Sequence, residues 1–135
     1  MTATTATTDE YGLYVDGQWV SGSDTFAVDD LADGGVFARV ARADERQVEA
    51  ALHAAARAES AMADATIVER TRWLDGIATA IDDHADELAE VVVREAGKPI
   101  ASAESEVAAA AERFRRAAGE ARDVQGEYVE GTTPG

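Results

Sequence analysis

The sequence predicts a chain that begins with short β-hairpins and continues as three to four α-helices. In the first third, the pair Asp16-Gly17 stands between two short apolar segments. This pair supplies the positive φ angles of a type I′ turn and is a strong hairpin signal. From Asp44 onward, apolar residues recur with the spacing of an amphipathic helix. We therefore expect the strands to precede the helices.

Turn residues bound the predicted strands. The first hairpin joins residues 13–15 to residues 18–20. A further strand is expected over residues 25–29 and another over residues 36–41. The Asp-Gly-Gly sequence at residues 33–35 turns the chain between them.

Capping residues mark where the first two helices begin. Asp44 is followed three residues later by Gln47, which resembles a capping box and predicts a helix over about residues 45–60. Thr66 and Glu69 have the same spacing and predict the start of a second helix. Each side chain of such a pair satisfies a backbone N–H group of the first helical turn.

The later helices are bounded by other signals. The second helix is expected to break near Asp82-Asp83, and the third to end at Gly97, because Pro99 cannot continue it. A final helix is expected to end near Arg122. The predicted apolar faces of the first, second and final helices are Val48, Ala51, Leu52 and Ala55; Trp73, Leu74, Ile77 and Ile81; and Val107, Ala110, Ala111, Phe114, Ala117, Ala118 and Ala121.

The apolar residues of this chain are small. It has 30 alanines and only eight aromatic residues. A buried alanine removes little apolar area from water, so each helix gains little from packing. The sequence therefore predicts a weak core that needs a partner surface.

The charge balance is strongly acidic. Asp and Glu number 27, Lys and Arg number 12, and the net charge is −15. Such a chain repels phosphate backbones, so no nucleic-acid partner is expected. Eleven Arg, the single Lys98 and the lack of Asn resemble a halophilic protein, although an ordinary acidic protein is the alternative. On the helices, Glu90 is expected to pair with Arg94 and Glu112 with Arg116.

The amino-acid composition and the N-terminal sequence also argue against several kinds of chemistry and several cellular locations. Cysteine is absent, which excludes thiol nucleophiles, disulfides and Cys-ligated zinc within this chain. Residues 1–10 form a polar sequence without the features of a signal peptide, and we expect a disordered tail there. No apolar run is long enough to span a bilayer. We expect a cytoplasmic protein without a membrane partner.

Motif searches assign no catalytic, cofactor-binding or metal-binding residue. No two glycines have the spacing of a dinucleotide-binding fingerprint, and the sequence around Gly97-Lys98 lacks the rest of a P-loop. Residues 29–34 only resemble the start of an EF-hand, because Leu31 replaces a ligand. The remaining candidates are expected to be solvated surface or, for the tryptophan, core: His53, His84, Asp82 with Asp83, Glu104 with Glu106, and Trp73.

Several strings in order resemble the N-terminal segment of the aldehyde dehydrogenase superfamily. The resemblance begins at residues 14–20 (YVDGQWV) and is most specific at residues 95–100 (EAGKPI). The other matching strings are Thr25-Phe26, Asp33-Gly34, Ala38-Arg39-Val40, Arg42-Ala43, Val48-Glu49-Ala50-Ala51, Arg70 with Leu74, Ala103-Glu104, Glu106-Val107, Phe114-Arg115, residues 117–121 and Gly126-Glu127. Together they cover nearly residues 11–131.

The resemblance implies an α/β fold, with residues 11–135 as a truncated N-terminal segment of a cofactor-binding domain. Full members oxidise an aldehyde to a carboxylic acid with NAD or NADP. A Cys attacks the carbonyl, hydride leaves to the nicotinamide, and a Glu-activated water releases the acid. In the family those groups and the cofactor loops lie beyond this segment, so we expect no cofactor and no activity for this chain alone.

The resemblance also implies partners and a substrate class. The partner would be the remainder of the enzyme or another subunit, in a full-length oligomer. The strings look most like the branch that acts on lactaldehyde and, without phosphorylation, on glyceraldehyde 3-phosphate. The alternative is an acidic helical interaction module, or a complementing fragment, without enzyme activity.

The sequence departs from the family at a turn. Asp30-Leu31 stands where the family usually has Asn-Pro, and the loss of proline is expected to loosen this turn. Some members hold a monovalent cation on two backbone carbonyls and an acid, which here correspond to Val28, Asp29 and Glu95. With the turn altered, we assign no metal to these residues.

Overall fold

The computed structural model describes residues 9–122. The chain forms five strands and four helices in this order: β1 (Asp9–Tyr11), β2 (Leu13–Val15), β3 (Gln18–Val20), β4 (Asp24–Asp29), β5 (Val36–Arg42), α1 (Glu45–Asp64), α2 (Ile67–Asp83), α3 (Ala85–Ala96) and α4 (Ile100–Arg122). The predicted order, with strands first and helices after, is confirmed.

The strands form two separate sheets. β4 and β5 pair in antiparallel fashion, with Phe26 opposite Val40, and β1 adds to β5 in parallel, so the order is β1-β5-β4. β1 is not predicted from the sequence. Asp9 and Glu10 are expected in a tail, whereas both belong to this strand; residues 1–8 of that tail lie outside the described residues.

The hairpin of β2 and β3 follows the Asp-Gly prediction. Asp16 and Gly17 both have positive φ angles, 53° and 78°, as a type I′ turn requires. Tyr14 lies opposite Trp19, and their ring centroids are 5.1 Å apart. Trp19 is nevertheless 70% exposed, so this aromatic pair covers no core.

Both predicted capping boxes form. At α1, Asp44 Oδ1 accepts from the Gln47 backbone N–H, and Gln47 Oε1 accepts from the Asp44 N–H. Thr66 and Glu69 make the same exchange at α2. α1 continues to Asp64, four residues beyond the predicted end, because its Ala-rich last turn has high helix propensity.

The breaks between the later helices also agree with the sequence. α2 ends at Asp83, and α3 ends at Ala96 with Gly97 as its cap, whose φ of 65° is the left-handed conformation expected of a C-terminal glycine. The Gly97 N–H donates to the Val93 carbonyl at 2.9 Å.

Alanine dominates the core. Helices α2, α3 and α4 pack into one bundle, and no large side chain of the described residues is fully buried. The buried apolar residues are Ala38, Ala41, Ala78, Ala89, Ala103, Val107, Ala111 and Ala118. The predicted apolar face of α4 is confirmed, since all of its members are buried or half-buried.

The predicted apolar stripe of α2 is partly wrong. Leu74 and Ile81 are half-buried, but Ile77 and Trp73 are 43% and 44% exposed. Thr71 and Ala78 occupy the buried side instead, because the helix turns that side toward α4. Trp73 is therefore not a core residue in this chain.

Within residues 9–122, no helix combines the length and the apolar character needed to cross a membrane.

Candidate functional site

Asp30 is the one charged residue that is buried among the described residues, and its carboxylate is fully paired. It lies just after β4, in a turn held by bonds from the Asp30 N–H to the Gly35 carbonyl (2.6 Å) and from the Gly34 N–H to the Asp30 carbonyl (2.7 Å). Its Oδ1 accepts from the Ala32 N–H at 2.9 Å, and its Oδ2 accepts from Arg94 Nε at 2.6 Å. The residue is only 7% exposed.

Arg94 reaches this turn from the last part of α3. Its guanidinium lies over the Phe37 ring, 4.3 Å from the centroid, and its carbonyl accepts from the Leu31 N–H at 2.9 Å. The predicted pair of Arg94 with Glu90 is wrong, because Arg94 Nε turns to Asp30 instead. Glu112 and Arg116 do pair, at 3.3 Å.

The pair consists of two charged groups. The hydrogen bond from Arg94 holds the pKa of Asp30 below its ordinary value, and the same bond raises the pKa of Arg94. Neither group is therefore suited to exchange a proton near neutral pH. The arrangement fixes the sheet to α3, which is a structural role.

Hydrogen bonds hold the turn in which the family's proline is absent. The Leu31 N–H, which a proline would lack, donates to Arg94, and the Asp30 side chain holds both the turn and the guanidinium. The Asp-Leu sequence thus replaces the stiffness of a proline ring with hydrogen bonds.

The turn also bears on the cation candidates Val28, Asp29 and Glu95. The register of β4 and β5 shifts between Val28 and Asp29, and the bond between Leu31 and Arg94 brings their segment to that of Glu95. Glu95 is exposed. Among residues 9–122, no three His, Asp or Glu side chains group as metal ligands. We assign no ion to these residues.

The other candidates are not brought together. His84 Nδ1 lies 3.2 Å from Glu87 Oε2, and His53 is exposed. Asp82 pairs with Arg115, and Glu106 with Lys98. The remaining groups, Asp83 and Glu104, are exposed, and in the EF-hand-like stretch Asp33 accepts from the Gly35 N–H.

The N-termini of α1, α2 and α3 do not favour the phosphates of a dinucleotide. Phosphates bind where a helix N-terminus offers free N–H groups, but Asp44 and Thr66 cap α1 and α2, and each first turn also holds an acidic residue. The first turn of α3 contains two acids, Asp86 and Glu87. Electrostatic repulsion therefore opposes a phosphate at these three helix ends.

Exposed apolar side chains are the remaining feature with functional meaning. Those on the strands and turns are Tyr11, Tyr14, Trp19, Val20, Phe26, Leu31 and Val36; those on the helices are Val48, Leu52, Met62, Ile67, Val68, Trp73, Ile77, Leu88 and Ile100. Where such side chains are contiguous, they mark an interaction site. The predicted need for a partner surface agrees with this distribution.

Comparison with known proteins assigns the chain to a family. The model of the aldehyde dehydrogenase family matches residues 19–135. The D-glyceraldehyde dehydrogenase (NADP+) of Thermoplasma acidophilum is 35% identical over 123 residues, which are 90% of this chain and 25% of that protein. The chain thus spans about a quarter of the curated relatives it matches.

Solved structures agree in fold. The lactaldehyde dehydrogenase of Escherichia coli superposes with a TM-score of 0.86 at 31% identity, over 95% of this chain and 27% of that one. An NAD-dependent aldehyde dehydrogenase of Sinorhizobium meliloti superposes with a TM-score of 0.83 at 30% identity, over 90% of this chain and 25% of that one. The chain has the fold of the N-terminal segment of these α/β enzymes and belongs to the aldehyde dehydrogenase family.

Proposed function

We propose that this chain is the N-terminal portion of an NAD(P)-dependent aldehyde dehydrogenase and that its role is structural support. The main observation is that residues 9–122 of this family member leave sixteen large apolar side chains exposed while alanine fills their core. Such side chains are costly in water and are stabilised when another surface covers them. The rest of an aldehyde dehydrogenase supplies such a surface.

The isolated chain is proposed to be inactive. Oxidation in this family starts with addition of a Cys sulfur to the aldehyde carbon, and this chain contains no Cys. Like the Cys, the general-base Glu is assigned to the remainder of the enzyme. The residues of this chain act by holding the fold in which those groups react.

The cofactor, NAD or NADP, is proposed to bind the remainder of the enzyme. The capped and acidic helix ends described above support this assignment. The names of the relatives include both an NADP+ and an NAD enzyme, so the choice of cofactor stays with the residues that would contact it.

Small hydroxylated aldehydes are the proposed substrate class. The support is the lactaldehyde-like pattern of the Glu-Ala-Gly-Lys-Pro-Ile string, together with the similarity to enzymes named for D-glyceraldehyde and lactaldehyde. We also propose that the full-length form is an oligomer in a cytoplasm of high salt. The acidic, Arg-rich composition supports the salt adaptation.

The second candidate function is an acidic interaction module without enzyme activity. The exposed apolar surface of α1 favours it equally, because any partner could cover that surface. The two functions are distinguished by whether this chain forms an active enzyme with the remainder of an aldehyde dehydrogenase.

Hybrid enzymes test the proposal. The 135-residue chain would replace the matched segment of the E. coli lactaldehyde dehydrogenase and, separately, of the T. acidophilum D-glyceraldehyde dehydrogenase. We expect soluble hybrids with aldehyde-dependent reduction of the host's cofactor, and no turnover by the chain alone. Two insoluble or inactive hybrids, beside a cooperatively folded isolated chain, would favour the interaction module.

A further inference from the structure

We propose that one side of α1, together with the adjoining hairpin and the start of α2, is the docking surface for the part of the enzyme that follows this segment. We call this surface the α1 stripe. It consists of Tyr14, Val48, Ala51, Leu52, Ala55, Ala58, Met62 and Trp73. The inference rests on the proposed function and names the interface through which that function is exerted.

The α1 stripe is continuous. One groove lies between β2 and α1, a second continues along α1, and a third lies between α1 and α2. Tyr14, Val15 and Ala51 line both the first and the second groove, and Ala58 lines both the second and the third. From Val48 to Met62 the helix rises about 21 Å, which is enough to seat a helix or strand of the partner.

The stripe carries little charge. No charged side chain lines the first groove, although 29% of all residues are charged. In the second groove the one charged residue, Asp16, pairs with Arg57 at 2.8 Å. In the third groove, Asp64 and Glu69 are both exposed. The alanines along α1 let the backbone of a partner approach closely.

α1 is poorly supported by the rest of residues 9–122. None of its 20 residues is buried, and Leu52 is 66% exposed. Polar contacts hold it to the hairpin region: the pair of Arg57 with Asp16 and the bond from Gln47 Nε2 to the Ser21 carbonyl, at 2.8 Å each. Surface pairs of this kind add little stability, and helices in proteins depend on packing of their apolar face.

The length of the relatives indicates the occupant. In dilute buffer, a second copy of this chain would bring another −15 charge to the stripe, and the repulsion opposes association. The aldehyde dehydrogenase relatives contain about three times as much chain beyond the matched segment. That part is therefore the expected occupant.

A matched pair of substitutions in the two hybrid enzymes tests the stripe. Ala58→Glu places a carboxylate in it, whereas Ala50→Glu makes the same change at an exposed position of α1 that lines none of the three grooves. The readouts are soluble yield, turnover, and hydrogen exchange of the α1 amides in the hybrid compared with the isolated chain.

We expect Ala58→Glu to lower yield and turnover at least about tenfold, since burying an unpaired charge is costly, and Ala50→Glu to leave both within about twofold. The α1 amides should exchange at least about tenfold more slowly in the unmodified hybrid than in the isolated chain. Active hybrids that tolerate both substitutions, with unprotected α1 amides, would overturn the docking surface and leave the proposed function intact. Failure of both unmodified hybrids would overturn both.

Discussion

Arg94 Nε donates a hydrogen bond to Asp30 Oδ2 across 2.6 Å, between residues that are 64 positions apart in the chain. The bond joins the turn after β4 to the last part of α3. Because the Asp30 side chain is 10% exposed and the Arg94 side chain 39% exposed, water screens this pair less than the surface pairs. It is the main polar link between the sheet and the helical bundle.

Replacing Asp30 with Asn should lower the thermal midpoint of the helical circular dichroism signal. The charge-assisted bond becomes a neutral one, and Arg94 loses its counter-charge. Asp16→Asn is the matched control, because its pair with Arg57 is well exposed and is worth little. Equal midpoints for the two variants would contradict the assigned role of Asp30.

The effect of Asp30→Asn should depend on pH. Since the folded state lowers the pKa of Asp30, its stabilising effect is present above the unfolded pKa of about 3.9 and is lost as the pH falls through the folded value. The midpoints of the unmodified chain and of the Asn variant should therefore differ at a pH of about 6 and converge in strong acid. A difference that persists unchanged in strong acid would disprove the linkage.

Two glycine substitutions should change the stability of the fold in opposite directions. Gly97→Ala places a side chain on a residue with φ 65° and should destabilise the fold by about 1 kcal/mol. Backbone strain is the cause, because the new Cβ would lie at an ordinary contact distance, 3.5 Å, from Leu31. Gly76→Ala, inside α2 with open space at its Cβ, should stabilise by up to about 1 kcal/mol. Thermal melts followed at the helical signal compare them, and the same sign for both would refute the explanation.

Thr71→Val should stabilise the bundle. The Thr71 hydroxyl is buried and has no hydrogen-bond partner within residues 9–122. Removing such a group should recover about 1 kcal/mol of unfolding free energy. The control is Thr79→Val, whose exposed hydroxyl donates to the Asp75 carbonyl and whose loss should change stability by less than about 0.5 kcal/mol. Urea unfolding of both variants, each made in the soluble hybrid enzyme, would decide, and a loss of stability in the Thr71→Val variant would argue against the orphaned hydroxyl.

Molar KCl should raise the thermal midpoint of the isolated chain. The screening length falls from about 10 Å at 0.1 M to about 3 Å at 1 M salt, which weakens the repulsion within a chain of charge −15. The Asp30→Asn variant should keep its lower thermal midpoint, relative to the unmodified chain, in molar KCl because the pair of Asp30 with Arg94 is partly buried. A midpoint that falls with salt would contradict the proposed salt adaptation.

Features set by neighbouring residues were predictable from the sequence. The turn at Asp16-Gly17, the two capping boxes and the glycine at the end of α3 each depend on a few consecutive residues. Their geometry follows from local sterics and from hydrogen bonds between residues that are close in sequence.

Features set by residues that are far apart in the sequence were not predictable. Periodicity gave Arg94 a helical neighbour, Glu90, but could not reveal that the turn at Asp30 lies closer. It also could not tell which apolar residues of α2 meet another element, and Trp73 proved exposed. β1 is three residues long and mostly polar, so only its pairing with β5 defines it. The resemblance of ordered strings, rather than any site, identified the family.

Near-UV circular dichroism of the isolated chain, in dilute buffer and in molar KCl, tests most directly whether it is an incomplete part of an aldehyde dehydrogenase. Trp19 and Trp73 are 70% and 44% exposed, so we predict a helical far-UV spectrum without fixed aromatic signals in either buffer. Strong near-UV signals from both tryptophans that vanish in one cooperative transition would contradict this account and indicate a self-sufficient module.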